Sequence, residues 1–197
     1  MVTADKVKEL RERTGAGMME CKKALVEADG NFDAAVEALR KSGIARAEKR
    51  AERAATEGLV ESYIHPGNRV GVLIEVNCET DFVARTPEFA ELVRNLAMQV
   101  AAAGAEYVRR EDVPSDRIER ERRIYAGQLE GQGKPAQIVE KIVEGKLGKF
   151  FEEVCLLDQP YIRDDKQKVG DLVRGASSKT GENIVVRRFS RFRLGQD

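Results

Sequence analysis

The residue types that carry covalent chemistry are few in this 197-residue chain and poorly placed to cooperate. The single histidine, His65, sits beside Pro66-Gly67 in turn chemistry, with no serine or cysteine set around it as a dyad. Cys78 falls on the apolar side of an alternating segment, and Cys21 shares a helical face with Met18 and Leu25. Both read as small buried hydrophobes rather than nucleophiles. With Cys155 the cysteines number three, far apart, which writes neither a disulfide framework nor a zinc spacing, so reduced thiols and no metal site are expected. Carboxylates are plentiful, but an acid–base pair needs convergence in space that no spacing here dictates. Gly15-Ala16-Gly17-Met18 lacks both the preceding strand and the lysine of a phosphate cradle, so no nucleotide binding by this chain is expected. The expectation is no catalytic residue and no cofactor.

What remains is the chemistry of recognition. Glu75 to Arg85 reads Glu-Val-Asn-Cys-Glu-Thr-Asp-Phe-Val-Ala-Arg and carries an apolar strand into a polar loop with one unprotected aromatic, Phe82. Thr80, Asp81, Phe82 and Val83 form the candidate contact set, because a short loop between two rigid supports can present side chains to another protein in fixed register.

The supports follow from periodicity. Val70, Val72, Ile74, Val76 and Cys78 alternate with Gly71, Leu73, Glu75, Asn77 and Glu79, the pattern of a strand with one buried face. After the loop, Thr86 is a natural N-cap and Pro87 a natural first helical residue, with Phe89, Leu92, Val93, Leu96, Ala97 and Val100 inward. Upstream, Leu59 to Ile64 and the turn His65-Pro66-Gly67-Asn68 complete a β-hairpin.

The rest of the chain divides by texture. Residues 1–43 carry three short helical patterns. Thr3 caps the first, with Val7 and Leu10 inward and Gly15 ending it. Met18, Cys21, Ala24, Leu25 and Ala28 face inward from the second, which Asp29-Gly30 stops. Asn31 caps the third, with Phe32, Ala35, Val36 and Leu39 inward and Gly43 following. A bundle of about 40 residues sits near the lower limit for independent folding and suits a small recognition module. Residues 44–57 read as a solvated helical connector, because between Ala45 and Thr56 the sequence is alanine, charge and nothing larger, with Arg46, Glu48, Lys49, Arg50, Glu52 and Arg53 on every side of a helix. In residues 58–197 a charged helix from Ser115 to about Glu130 follows the Phe89 helix. Another begins at Pro135, with Ile138, Ile142, Phe150, Val154 and Leu157 inward. A last helix, about Lys168 to Lys179, leads to a strand from Ile184 to Phe192. The fold class expected is α+β, helices packed on a small antiparallel sheet.

Composition narrows the setting. Hydrophobic residues make up 42%, ordinary for a globular protein, and 34 basic residues balance 34 acidic ones. General binding of polyanions needs clustered positive excess, so no direct contact with nucleic acid is expected. No run approaches the roughly 18 to 20 apolar residues that span a bilayer, and Thr3, Asp5, Lys6 and Glu9 do not open a signal peptide. No membrane partner and a cytoplasmic location are expected.

Two segments in combination carry a family resemblance. Leu10-Arg11-Glu12-Arg13-Thr14-Gly15-Ala16-Gly17-Met18-Met19-Glu20-Cys21-Lys22-Lys23-Ala24-Leu25 and Glu75 to Arg85 closely resemble the signatures of the bacterial translation elongation factor Ts family, in the same order. The resemblance continues through Leu156-Leu157-Asp158-Gln159-Pro160-Tyr161 and Gly181-Glu182-Asn183-Ile184-Val185-Val186-Arg187-Arg188-Phe189, and so covers nearly the whole chain. It implies a guanine-nucleotide exchange factor for elongation factor Tu, with an N-terminal module similar to a ubiquitin-associated domain. By the same resemblance that module docks on the GTPase through Arg11, Thr14, Gly15, Ala16, Gly17, Met18 and Met19, and Thr80, Asp81, Phe82 and Val83 reach the region of the bound magnesium. Longer members carry a duplicated core and an inserted coiled coil, whereas this chain has room for one core half. The expectation is therefore a symmetric, non-covalent homodimer paired through the Ile184 to Phe192 strand, giving a 2:2 complex with the GTPase. An RNA-binding accessory protein of translation is the reading from another class, resting on Arg187, Arg188, Arg191 and Arg193 among the aromatics of that strand. A thiol or carboxylate enzyme is the third, with no substrate suggested.

Overall fold

Three capped helices open the chain. Thr3 Oγ1 accepts from the Lys6 N–H at 3.4 Å to start α1 (Ala4–Thr14), and Gly15, at φ 68, ends it by donating to Arg11 O. Helix α2 (Met18–Glu27) turns off through Asp29 and Gly30, at φ 50 and 80. Asn31 Oδ1 accepts from the Ala34 N–H at the start of α3 (Phe32–Arg50). Val7, Leu10, Cys21, Ala24, Leu25, Ala35, Val36 and Leu39 form the shared core. The computed structural model describes residues 2–196, without the side chains of Arg40 and of residues 44–49.

Two expectations about this bundle are corrected. Met18, expected on the inner face, is exposed, because it is the first residue of α2 and the buried seam begins a turn later at Cys21. Gly43 does not stop the third helix, which continues to Arg50. A Cβ at Gly43 would stand 2.9 Å from Ser178 Oγ, so the glycine serves close approach of two segments rather than termination. Of the six charged side chains expected on the solvated helical connector, Arg46, Glu48 and Lys49 lie outside the described residues, Arg50 is half-buried as the last residue of α3, and Glu52 and Arg53 are exposed beyond the helix.

The hairpin forms as the alternation dictates. Strands β1 (Glu57–Ile64) and β2 (Val70–Cys78) are joined by a turn in which the His65 N–H donates to Val70 O and the Asn68 N–H to His65 O, both at 2.9 Å. Val72, Ile74, Val76 and Cys78 are buried and Leu73 is exposed. Two further helices follow: α4 (Asp81–Ala84) and α5 (Pro87–Ala103), whose Phe89, Leu92, Val93, Leu96, Ala97 and Val100 are all buried.

Helices α6 (Ser115–Gly127) and α7 (Ala136–Val154) pack together. The inner stripe of α7 is Val143, Leu147, Phe150 and Val154, not one that starts at Ile138, which is exposed. The buried positions recur at four, three and four residues, a better helical seam than the expected set. A two-stranded antiparallel sheet, β3 (Pro160–Tyr161) and β4 (Asp164–Lys168), was not expected from the pattern. Helix α8 (Val169–Thr180) then leads to β5 (Val185–Arg193). The main sheet has the order β1-β2-β5, and the Leu194 N–H donates to Arg69 O, as antiparallel pairing of β5 with β2 requires. The architecture is α+β. The chain divides into two compact units: Met1–Val60, Glu75–Val93 and Asp171–Arg187 in one, and Glu61–Ile74, Arg94–Gly170 and Arg188–Asp197 in the other. Among the described residues no helix is long and apolar enough to cross a membrane.

Candidate functional site

The recognition segment is not an open loop. Thr80 is extended and its Oγ1 accepts from the Val83 N–H at 3.4 Å, which makes it the N-cap of the single-turn helix α4. At the other end Thr86 Oγ1 donates to Val83 O at 2.8 Å and accepts from the Phe89 N–H at 3.3 Å, so one hydroxyl ties the turn to the start of α5. Of the four predicted contact residues, Thr80, Asp81 and Val83 are half-buried, Thr80 and Val83 shaping the turn, while Phe82 presents its ring to solvent. Phe82 is 82% exposed. Asp81 pairs with Arg85 at 2.9 Å one turn along, so its carboxylate has a partner within the same turn.

The ends of β2 and β5 brace this turn through a second set of bonds. The Glu182 carboxylate accepts from the Glu79 N–H (3.0 Å) and the Thr80 N–H (3.1 Å) at Oε2, and from the Thr80 hydroxyl (2.6 Å) at Oε1. In return the Asn183 N–H donates to Glu79 Oε1 at 2.6 Å, and Arg53 lies 3.5 Å from the same oxygen. The Asn183 side-chain amide donates to Ala51 O and Arg53 O. Glu79, Glu182 and Asn183 were not singled out as site residues. All three lie inside the segments that carry the family resemblance, Glu75 to Arg85 and Gly181 to Phe189, but nothing in those segments marks a carboxylate or amide that joins the two.

Cys78 lies beneath, buried, with its Sγ donating to Thr80 O at 3.2 Å. Burial and then the Glu182 carboxylate hold its thiol above the usual thiol range, so it is a poor nucleophile. The His65 ring, exposed in its turn, shares a hydrogen bond with the Tyr63 hydroxyl through Nδ1 at 3.1 Å.

The predicted docking residues of the first module fall into two groups. Thr14 and Gly15 are occupied in building the turn between α1 and α2: the Thr14 hydroxyl donates to Leu10 O at 2.6 Å and accepts from the Ala16 N–H at 3.3 Å, while a Cβ on Gly15 would stand 2.3 Å from Lys179 Cγ. Ala16 O accepts from Cys21 Sγ, and the Gly17 N–H donates to Glu20 Oε2 at 3.2 Å. Arg11, Met18 and Met19 point outward, Met19 at 76% exposure. Exposed, flexible thioethers are adaptable groups for contact with another surface. Both this surface and the Phe82 turn belong to the same compact unit. Among the described residues of either, no nucleophile is set beside a base.

Comparison with known proteins gives the relatives of this chain. A family model described as Elongation factor TS matches residues 5–196. The chain is similar to Elongation factor Ts of Carboxydothermus hydrogenoformans, 60% identical over 196 residues that cover 100% of this chain and 90% of that protein. It is similar also to Elongation factor Ts of Thermodesulfovibrio yellowstonii, 56% identical with 99% and 97% covered, and of Anaeromyxobacter sp., 58% identical with 99% and 89% covered.

Proposed function

The chain belongs to the elongation factor Ts family and is thus a translation elongation factor, and we propose that it is the guanine-nucleotide exchange factor that binds elongation factor Tu with GDP, disturbs its magnesium site and promotes GDP release so that GTP can rebind. The observation that carries this reading is Phe82, a bare aromatic on a turn tied down at both ends. Burying such a ring yields roughly 1.5–3 kcal/mol, and each 1.4 kcal/mol or so is tenfold in affinity. A few contacts of this size therefore suffice to loosen a nucleotide by orders of magnitude. Magnesium demands near-ideal octahedral coordination, so a small displacement of the partner's ligands weakens ion and nucleotide together. Phe82 enters a partner pocket beside that site, and Asp81, released from Arg85, meets the groups next to the metal. Arg11, Met18 and Met19 dock the N-terminal module, read as similar to a ubiquitin-associated domain, on the nucleotide-binding domain.

Exchange of this kind makes and breaks no covalent bond, and it is reciprocal: if the factor weakens GDP binding, GDP weakens factor binding equally. The cycle runs in the cytoplasm, where translation supplies the partner. Residues 58–197 also serve assembly. Strand β5 stands at one end of its sheet, with Phe192 and Leu194 exposed, which suits pairing with a second copy in a homodimer and a 2:2 complex. Release of fluorescent GDP from elongation factor Tu, with Phe82→Ala and Asp81→Ala beside the parent, tests the exchange reading; parental rates in both variants refute it. Light scattering at micromolar concentration tests assembly, and a monomer mass refutes the dimer.

A further inference from the structure

The bonds between Glu182 and the recognition turn lead us to propose that Glu182 is a positioning residue for exchange: its carboxylate aims Phe82. The inference rests on the reading of Phe82 as the group that enters the partner.

An 82% exposed side chain has almost no packing of its own to fix its direction. Where the ring points is therefore decided by the backbone of α4, and that backbone is set by its cap. Thr80 is the cap, and its hydroxyl works twice, accepting from the Val83 N–H at 3.4 Å while donating to Glu182 Oε1 at 2.6 Å. Glu182 Oε2 takes the N–H groups of Glu79 and Thr80, so three donors converge on one carboxylate from a residue about a hundred positions away in sequence. A carboxylate accepting from two backbone N–H groups and a hydroxyl makes charge-assisted bonds, about twice as strong as neutral ones. Glu182 is itself held: the Ser177 hydroxyl donates to its carbonyl oxygen, and its N–H donates to Thr180 Oγ1 at 3.3 Å. Reciprocal bonding of Asn183 to Glu79 locks the same two chain segments from the other side. The result is a short path of hydrogen bonds from α8 through Glu182 and Thr80 to the turn that carries the ring. Glu182 touches neither the partner nor its nucleotide on this account. It acts through Thr80.

A plain structural role, joining the ends of two neighbouring strands, predicts lower stability but no special link to Phe82. The two are separated with the full chain and elongation factor Tu bearing fluorescent GDP. Glu182→Ala, Glu182→Gln, Phe82→Ala and the double variant Glu182→Ala/Phe82→Ala are compared, with amide hydrogen exchange read at Glu79, Thr80 and Val83. In Glu182→Ala those amides are expected to exchange at least about tenfold faster, and GDP release at saturating factor to fall at least about tenfold, as loss of one charge-assisted bond implies. Glutamine still offers an oxygen to the two N–H groups and an amide to the Thr80 oxygen, so Glu182→Gln restores most of the rate. Once Phe82 is gone, removing Glu182 costs nothing further. Unchanged amide protection in Glu182→Ala overturns the proposal, and so do losses that multiply in the double variant. A parental rate in Phe82→Ala, with fast amides in Glu182→Ala, instead removes Phe82 as the group that enters the partner and leaves the bracing of the turn intact.

Discussion

Gly58 lies so close to Val76 that a Cβ on it would stand 2.1 Å from the Val76 carbonyl oxygen and 2.7 Å from Asn77 Cα. Its φ of 144 is also one that other L-residues rarely adopt. The obstruction is backbone on both counts and cannot swing aside. Gly58→Ala is expected to lower the unfolding free energy by about 2 kcal/mol or more, from strain and the displacement of paired strands. Urea denaturation reads this directly, and a variant as stable as the parent would show that the strands shift apart freely.

Gln99 is wholly buried and fully used. Its amide donates to Gln159 Oε1 and Pro160 O, both at 3.1 Å, and its oxygen accepts from the Ile162 N–H at 2.9 Å. Gln99→Leu keeps the volume but strands the buried Gln159 Oε1, at a cost of about 1–3 kcal/mol, and removes the partners of the part-buried Pro160 carbonyl and Ile162 N–H. Stability should fall by at least about 2 kcal/mol, measured by the same denaturant titration.

Exposed anchors behave in the opposite way. Phe82 and Met19, at 82% and 76% exposure, contribute little to folding, so Phe82→Ala and Met19→Ala should leave unfolding within about 0.5 kcal/mol of the parent. Their cost falls on association, where a central anchor is worth about 2 kcal/mol or more, roughly thirtyfold in Kd. Calorimetric titration against elongation factor Tu checks the second half, and thermal unfolding the first.

The buried thiols set an alkaline limit. Burial, with the Asp158 carboxylate beside it, pushes Cys155 from 9.0 up to about 11, and Cys78 is raised for similar reasons. A folded pKa above the unfolded one means the contribution is complete below about pH 9 and is lost as pH rises toward 11. Stability should therefore decline through pH 9–11, with a shallower slope in Cys155→Ala. In the native state at pH 8 both thiols should resist iodoacetamide, as few thiolates are present.

Much of this fold was legible because its signals are local. Thr3, Asn31 and Thr86 cap helices where a side-chain oxygen precedes a periodic run, and β2 follows strict alternation. Strand β4, Asp-Asp-Lys-Gln-Lys, has no apolar residue to alternate and is made by pairing with β3 alone. Gly43 looked like a stop because its local meaning, poor helix propensity, is outweighed by a tertiary one, room for Ser178. The candidate site divides the same way. Phe82 stood out as an aromatic without a periodic role, whereas Glu182 became visible only when distant segments came together. Solvated carboxylates are common in such a charged chain, and nothing in sequence distinguishes one that receives three donors.

The cap of α4 is secured by a carboxylate and a hydroxyl rather than by oily neighbours, and this separates two temperature responses. Water-driven burial weakens on cooling, so the grip of the Phe82 ring on any apolar pocket loosens in the cold. Polar bracing of the turn does not share that decline. At low temperature the chain thus keeps the shape of its key while losing part of the force that turns it in the lock.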